Sequence, residues 1–289
     1  MPNVTSCSTL GFADYTLEEA IRTIAGLGFK DVSIAHMSSY CTHYDYKKHD
    51  PSDILELMSQ YGLRATSMNQ SVSRPGPAGV YQVSRPEDAG AYQTHVRHLI
   101  DHASRLQLQD LLVSIGHRSN GPQDSNDRNV FAIILSEMAN YAWEKGLRLS
   151  VELPHVYSVA YDLPTTVEFF RAVQSDKLIT TLDSSHWLVS KYDANEFFAC
   201  LGDRIHHVHL RDARGLDTAD FKQQLEFTPG KGEADFGLLG TVLHQHGYSD
   251  GIVLEMEHRN GNSIAQIERE YDFGIRHLKS CGWNFPPGV

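Results

Sequence analysis

The chain has 289 residues, 36 acidic against 25 basic, for a formal charge of −11. That balance repels phosphate backbones and anionic headgroups, which argues against nucleic acid and membrane as partners and favours a small polar substrate. No apolar run approaches the ~20 residues that cross a bilayer, the first residues lack a basic-then-apolar signal pattern, and Cys7, Cys41, Cys200 and Cys281 are scattered without paired spacing, as reduced thiols are, so the expected location is cytoplasmic.

In chain order, Val4 to Thr9 alternates small polar and apolar residues as a first strand. Thr16-Leu17-Glu18-Glu19 then reads as a capping box that opens a helix to about Leu27, ended by Gly28. Asp31 to Ala35 is strand two, stopping at His36. A polar, aromatic-rich connection over 37–50 leads to a helix opened by Pro51-Ser52-Asp53. Arg64 to Asn69 is strand three. The loop from Gln70 to Arg85, with Pro75, Gly76, Pro77 and Gly79, is long enough to be part of a lid or an oligomer contact.

Pro86 begins a helix to about Leu106, in which Val96, Leu99, Ile100 and Ala103 keep the helical apolar period. Leu111 to Ile115 is strand four, followed by Gly116-His117-Arg118, and Asn129 to Lys145 is the next helix. Strand five runs from Leu147 to Glu152, Pro164-Thr165-Thr166 starts a fifth helix, and strand six is Leu178 to Asp183. Asp193 caps a sixth helix, and Ile205 to His209 is strand seven. A long loop from Arg211 to Glu233 holds Pro229-Gly230-Lys231-Gly232. Asp235 to Gly247 is a helix, Ile252 to Glu255 is strand eight, and Asn262 to Ser280 closes the chain.

Eight strand-then-helix units predict an α/β fold with a parallel sheet closed as a (β/α)8 TIM barrel, one domain over 1–289. The alternative, an open doubly wound sheet, lacks its Gly-rich phosphate fingerprint after strand one.

Strands five to eight each end in a metal-competent side chain: Glu152, Asp183, His209 and Glu255. A parallel barrel brings all strand C-termini to one face, so these four converge. Any one of them alone reads equally well as a solvated strand end, but burying three carboxylates together without a cation or partners costs several kcal/mol per ion. Two glutamates, an aspartate and one histidine form an oxygen-rich set that suits one divalent ion, Mn²⁺ first and Mg²⁺ or Co²⁺ next, better than a structural zinc. On strand seven, His207 and His209 share a side and His206 faces the other, and His209 lies nearest the C-terminal end. His186, three residues past Asp183, either contacts substrate oxygen or metal, or caps the next helix. His117 either faces the mouth or is a structural histidine, and Lys231 either reaches an anionic or carbonyl oxygen or is simply solvated.

With these residues placed, the sequence resembles the xylose isomerase-like superfamily of sugar isomerases and epimerases, ketose 3-epimerases among them. The resemblance runs from Ser8-Thr9-Leu10-Gly11-Phe12 through Val151-Glu152, Leu182-Asp183-Ser184-Ser185-His186 and His207-Val208-His209-Leu210-Arg211-Asp212 to Pro229-Gly230-Lys231-Gly232 and Leu254-Glu255. It implies that Glu152, Asp183, His209 and Glu255 hold one divalent cation and that Glu152 and Glu255 also move protons. Substrate contacts are expected from His186, His117, Arg211 and Lys231. Three positions depart from the ketose 3-epimerase pattern: Ser33 with His36 where a strand-two glutamate is common, Ser158 in place of a second glutamate, and Gly215, beside Arg214, in place of an arginine. The three-zinc endonuclease IV arrangement is disfavoured, because Gln224 to Phe227 lacks its Asp-x-His.

The expected activity is therefore isomerisation or epimerisation of a small keto sugar or related polyol ketone through a metal-stabilised enediolate. The alternative is a lyase of the inosose or dehydroshikimate dehydratase kind, or one that expels a glycosyl oxygen. A homo-oligomer, dimer or tetramer, is expected.

Overall fold

Short β-branched runs alternate with amphipathic stretches along this chain, and a computed structural model shows each run as a strand of one closed sheet. It describes residues 2–37, 40–72, 81–119, 121–191, 193–215, 225–258 and 261–289. The strands are β1 Ser6–Ser8, β2 Asp31–His36, β3 Arg64–Gln70, β4 Asp110–Val113, β5 Arg148–Glu152, β6 Leu178–Asp183, β7 Ile205–Leu210 and β8 Gly251–Leu254. They pair in parallel and in sequence order, and β8 returns to β1 to close a TIM barrel.

The helices lie between strands: α1 Leu17–Gly26, α2 Pro51–Gln60, α3 Pro86–Arg105, α4 Gln123–Glu144, α5 Leu163–Ala172, α6 Ser184–Ser190, α7 Ala194–Leu201, α8 Phe236–Gln245 and α9 Ile264–Ser280. The Thr16/Glu19 capping box forms as expected, and Asp50, Asp193 and Asp235 cap α2, α7 and α8 through their carboxylates. Apolar helix faces such as Ile21 and Ile24 of α1 or Val96, Leu99 and Ile100 of α3 are fully buried in the core. No helix among the described residues is long and apolar enough to cross a membrane.

Several boundaries differ from the sequence expectation. The helix expected from Asn129 starts at Gln123. Its first turns carry no apolar residue for a periodic signal, and they are held by polar contacts instead: Asp127 accepts from Ser84 N–H at 2.8 Å, and Arg128 donates to the Val159 carbonyl at 2.7 Å. β1 is shorter than Val4 to Thr9, because the Ser8 hydroxyl caps a 3₁₀ turn at Thr9–Phe12. A helix not foreseen, α6, begins directly after Asp183. The proposed lid residues 73–80, residues 216–224 of the long loop and residues 38–39 of the 37–50 connection lie outside the described residues.

The base of the barrel is closed by charge. Arg148, at the start of β5, donates to both Asp110 oxygens at 2.6 and 3.0 Å and to Asp250 Oδ1 at 2.8 Å. His207 reaches across from β7 to the same Asp110, Nδ1 to Oδ2 at 3.3 Å.

Candidate metal centre

The four strand-end residues meet at the opposite end. Glu152 and Asp183 are the last residues of β5 and β6, His209 stands next to last in β7, and Glu255 follows β8. Asp183 and His209 are register partners. One ligand-competent atom from each of the four lies within 4.8 Å of the others. His209 Nδ1 is 3.1 Å from Glu152 Oε2, 3.0 Å from Glu255 Oε2 and 4.0 Å from Asp183 Oδ2. Two neighbours, Ser8 Oγ at 3.4 Å and Asn69 Nδ2 at 3.3 Å, donate to Glu255 Oε1 and leave Oε2 turned to the cluster.

A test of whether a divalent cation suits these residues rests on His209. It is fully buried, and neither ring nitrogen has a hydrogen-bond partner among the described residues, although Nδ1 faces three carboxylates. A buried imidazole nitrogen aimed at converging carboxylate oxygens without an aligned hydrogen bond is the arrangement a shared cation would complete. The residues fit.

The electrostatics separate the carboxylates. Burial raises Glu152 above the usual carboxylate range, more than the neighbouring His209 lowers it. Burial also acts to raise Glu255, but His209 and Arg211 outweigh it and hold the group low. At Asp183 the Arg211 guanidinium, with the nearby histidines and Ser185, overcomes burial and holds the carboxyl far below its ordinary value. Burial alone would depress His209, yet Glu255 and Glu152 raise it to about 10.

Asp183 is also the N-cap of α6. Its Oδ1 accepts from the backbone of Ser185 at 2.7 Å and of His186 at 3.2 Å, leaving Oδ2 for the cluster. His186 sits in that first turn, with Nε2 3.3 Å from Glu152 Oε1. The Val156 N–H is directed at its Nδ1 at 3.5 Å, and Arg211 Nη2 lies 3.3 Å from its Nε2. His155, which sequence reasoning missed, lies over His186 with ring centroids 4.0 Å apart and its Nε2 3.9 Å from Glu152 Oε1.

Arg211 is buried against the cluster. Nη2 donates to Asp183 Oδ2 at 3.0 Å, Nη1 to Glu257 Oε2 at 2.8 Å and Nε to Ser185 Oγ at 3.1 Å. His117 is exposed near the mouth, and its backbone bridges to Ser158 in the loop after β5. Lys231 is drawn to the rim, where Nζ donates to both Glu270 oxygens at 2.6 Å. Its loop is shaped by Asp212, whose carboxylate accepts from the backbone of Ala213, Gly230, Gly232 and Ala234 at 2.8 to 2.9 Å. A Cβ at Gly232 would lie 2.3 Å from both Asp212 Oδ1 and the Ala213 carbonyl, and Gly230 has φ +90°. Asn69, Ser8 and Glu257 were also missed; each is a polar residue at or just beyond a strand tip, which is the signal that marks them.

The family model described as "xylose isomerase-like TIM barrel" matches residues 21–281. Among curated proteins, the inosose dehydratase of Erwinia tasmaniensis is 31% identical over 136 residues, 42% of this chain and 45% of that protein. The match thus spans about half the length of that relative. Among solved structures, a D-allulose 3-epimerase from Methylomonas sp. superposes with a TM-score of 0.74 at 18% identity, covering 96% of this chain and 99% of its own. The IolI protein, solved with a bound zinc atom, gives 0.71 at 14%, covering 96% of this chain and 95% of its own. At such identities these two likenesses show the fold.

Proposed function

The chain belongs to the xylose isomerase-like TIM barrel family, and from that premise we propose that it is a divalent-metal-dependent isomerase or epimerase of a small keto sugar or related polyol ketone. The observation that carries this reading is the Glu152–His209–Glu255 row. Two carboxylates flank one imidazole nitrogen at 3.1 and 3.0 Å. Paired carboxyls converging from two sides suit one proton donor and one acceptor.

Glu152, Asp183, His209 and Glu255 would hold the cation, Mn²⁺ by the oxygen-rich donor set, and when bound it would supply Lewis-acid polarisation of a ketone oxygen. One of Glu152 and Glu255 accepts the carbon-bound proton beside that carbonyl, and the other returns a proton from the other side. Transfer by a positioned carboxylate contributes ~10²–10⁴-fold. His186, with Nε2 3.3 Å from Glu152 Oε1, is placed to contact a substrate oxygen beside Glu152. Arg211 keeps Asp183 ionised.

A second reading, dehydration, is favoured by the inosose dehydratase match and by the two imidazoles, His155 and His186, beside Glu152. Both outcomes start with removal of the same kind of proton. Incubation in D₂O with keto sugars and inososes, read by mass spectrometry, separates them. The isomerase reading expects a product that differs only by incorporated deuterium, and a product lighter by water would overturn it in favour of the lyase.

A further inference from the structure

Below the four candidate ligands, the barrel lumen is polar where an α/β barrel usually packs branched apolar side chains. Ser33, Ser67, Asp110 and Arg148 are successive register partners on β2, β3, β4 and β5 and so share a face. His207 identifies that face as the lumen, because it stands two residues before His209 on β7 and crosses to Asp110. Its own register partner, Gly251, adds no side chain; a Cβ there would lie 3.5 Å from His207 Nδ1.

Besides His209 Nδ1 at the cluster, four polar atoms in this interior are buried without a hydrogen-bond partner among the described residues: Ser33 Oγ, Ser67 Oγ, His207 Nε2 and His209 Nε2. Their chemistry is complementary. The Asp110 carboxylate only accepts, so His207 Nδ1 donates to it and Nε2 of the neutral ring is left as an acceptor. His209 turns Nδ1 to the carboxylates, so its Nε2 carries a hydrogen and is left as a donor. The two rings stand nearly perpendicular, 81°, with centroids 5.2 Å apart, and are not bonded to each other.

We infer that an ordered water in the lumen accepts from His209 Nε2–H and donates to His207 Nε2, with the Ser33 and Ser67 hydroxyls as further partners, making His207 a positioning residue for His209. Two to four polar partners are what a buried water requires. A metal-ligating histidine almost always donates its second nitrogen to a carboxylate, carbonyl or water, which fixes its tautomer and ring orientation. Here that support runs from the base of the barrel, Arg148 to Asp110 to His207, through the water to the ligand. The inference rests on the metal reading of Glu152, Asp183, His209 and Glu255.

The test is calorimetric titration of the chelator-stripped full chain with Mn²⁺. His207→Phe, which keeps a ring but removes the acceptor, is expected to weaken binding by about 10–100-fold, and His207→Gln to recover part of the loss. Ser67→Val removes a hydroxyl partner and leaves both histidines in place, and is expected to weaken Mn²⁺ binding in the same direction, so it carries the test if His207→Phe does not fold. Thermal stability is measured alongside. A lowered melting temperature with unchanged Mn²⁺ affinity in both variants would overturn the inference and leave His207 a structural residue. Wild type that takes up no Mn²⁺, Mg²⁺ or Co²⁺ would overturn the metal reading and this inference together. A high-resolution crystal structure is expected to show solvent density between His207 and His209, and a dry lumen would also overturn it.

Discussion

Removing Arg211 tests whether it is an internal clamp or a substrate contact. Its side chain is 7% exposed and pairs with Asp183, at 0%, and Glu257, at 4%. Arg211→Ala leaves both carboxylates buried without their cation, and breaking a buried pair in this way costs about 3–5 kcal/mol. Asp183 keeps its Ser185 and His186 N–H partners, so the expectation is about 4 kcal/mol, which lowers Tm by roughly 6–8 °C in a chain of this size. The pH dependence gives a second reading. In the wild type Arg211 holds Asp183 below its ordinary range against the opposing effect of burial. That stabilisation is fully present above the unfolded value near 3.9 and is lost only as pH falls through the lower folded value. The variant lacks it, so the gap between the two proteins is widest at neutral pH and narrows below about pH 4. Urea unfolding of chelator-treated protein from about pH 2 to 8 measures both quantities. A loss under about 1 kcal/mol, with turnover impaired through KM alone, would return Arg211 to the role of a substrate contact.

Two further outcomes are expected at the cluster itself. Elemental analysis of purified wild type should find one divalent ion per chain, and Asp183→Ala should carry markedly less; unchanged content in the variant would remove Asp183 from the set. Glu152→Gln and Glu255→Gln preserve shape and remove basicity, and each is expected to lower kcat by ~10²–10⁴-fold while the fold is kept. A variant that holds its metal and turns over normally would reduce that glutamate to a ligand.

The barrel was legible in the sequence because its strands are short apolar runs and its helices carry caps and apolar stripes, as in Thr16-Leu17-Glu18-Glu19 and Val96 to Ala103. The first turns of α4 were not, because Gln123 to Arg128 buries polar groups against two loops, and a hydrophobic period cannot register contacts made by hydrogen bonds. The strand-end rule placed Glu152, Asp183, His209 and Glu255 at one face, where their atoms do converge. It could not foresee what surrounds them. Asn69 and Ser8 reach Glu255 from β3 and β1, and His155 reaches the cluster from an irregular loop. The first two depend on the strand register that closes the barrel and the last on how a loop folds back over the mouth, and local sequence carries no period for either. Lys231 shows the same limit, since its rim partner Glu270 lies on a helix 39 residues away.

The two spaced motifs have a shared physical logic. In Asp183-Ser184-Ser185-His186 the aspartate ends a strand and caps the helix that follows: Oδ1 anchors the turn that presents His186, while Oδ2 is left to the cluster. In His209-Leu210-Arg211-Asp212 the labour is divided over four residues: the histidine faces the cluster, Arg211 ties Asp183 to Glu257, and Asp212 binds four backbone amides to shape the Gly230–Gly232 loop. In the first case the candidate ligand itself organises the next turn, and in the second a spacing of three joins the candidate ligand to the organiser of the next loop. An ionised carboxylate accepting several backbone N–H groups is a stronger anchor than a neutral cap, and it fixes the chain leaving the strand tip where a displacement of the ligand by about 1 Å would matter most. The glycines follow from the same demand, because only a residue without a Cβ lets the chain close on Asp212 at Gly232. The motif that marks the candidate ligands is therefore also the one that builds the walls of the mouth around them.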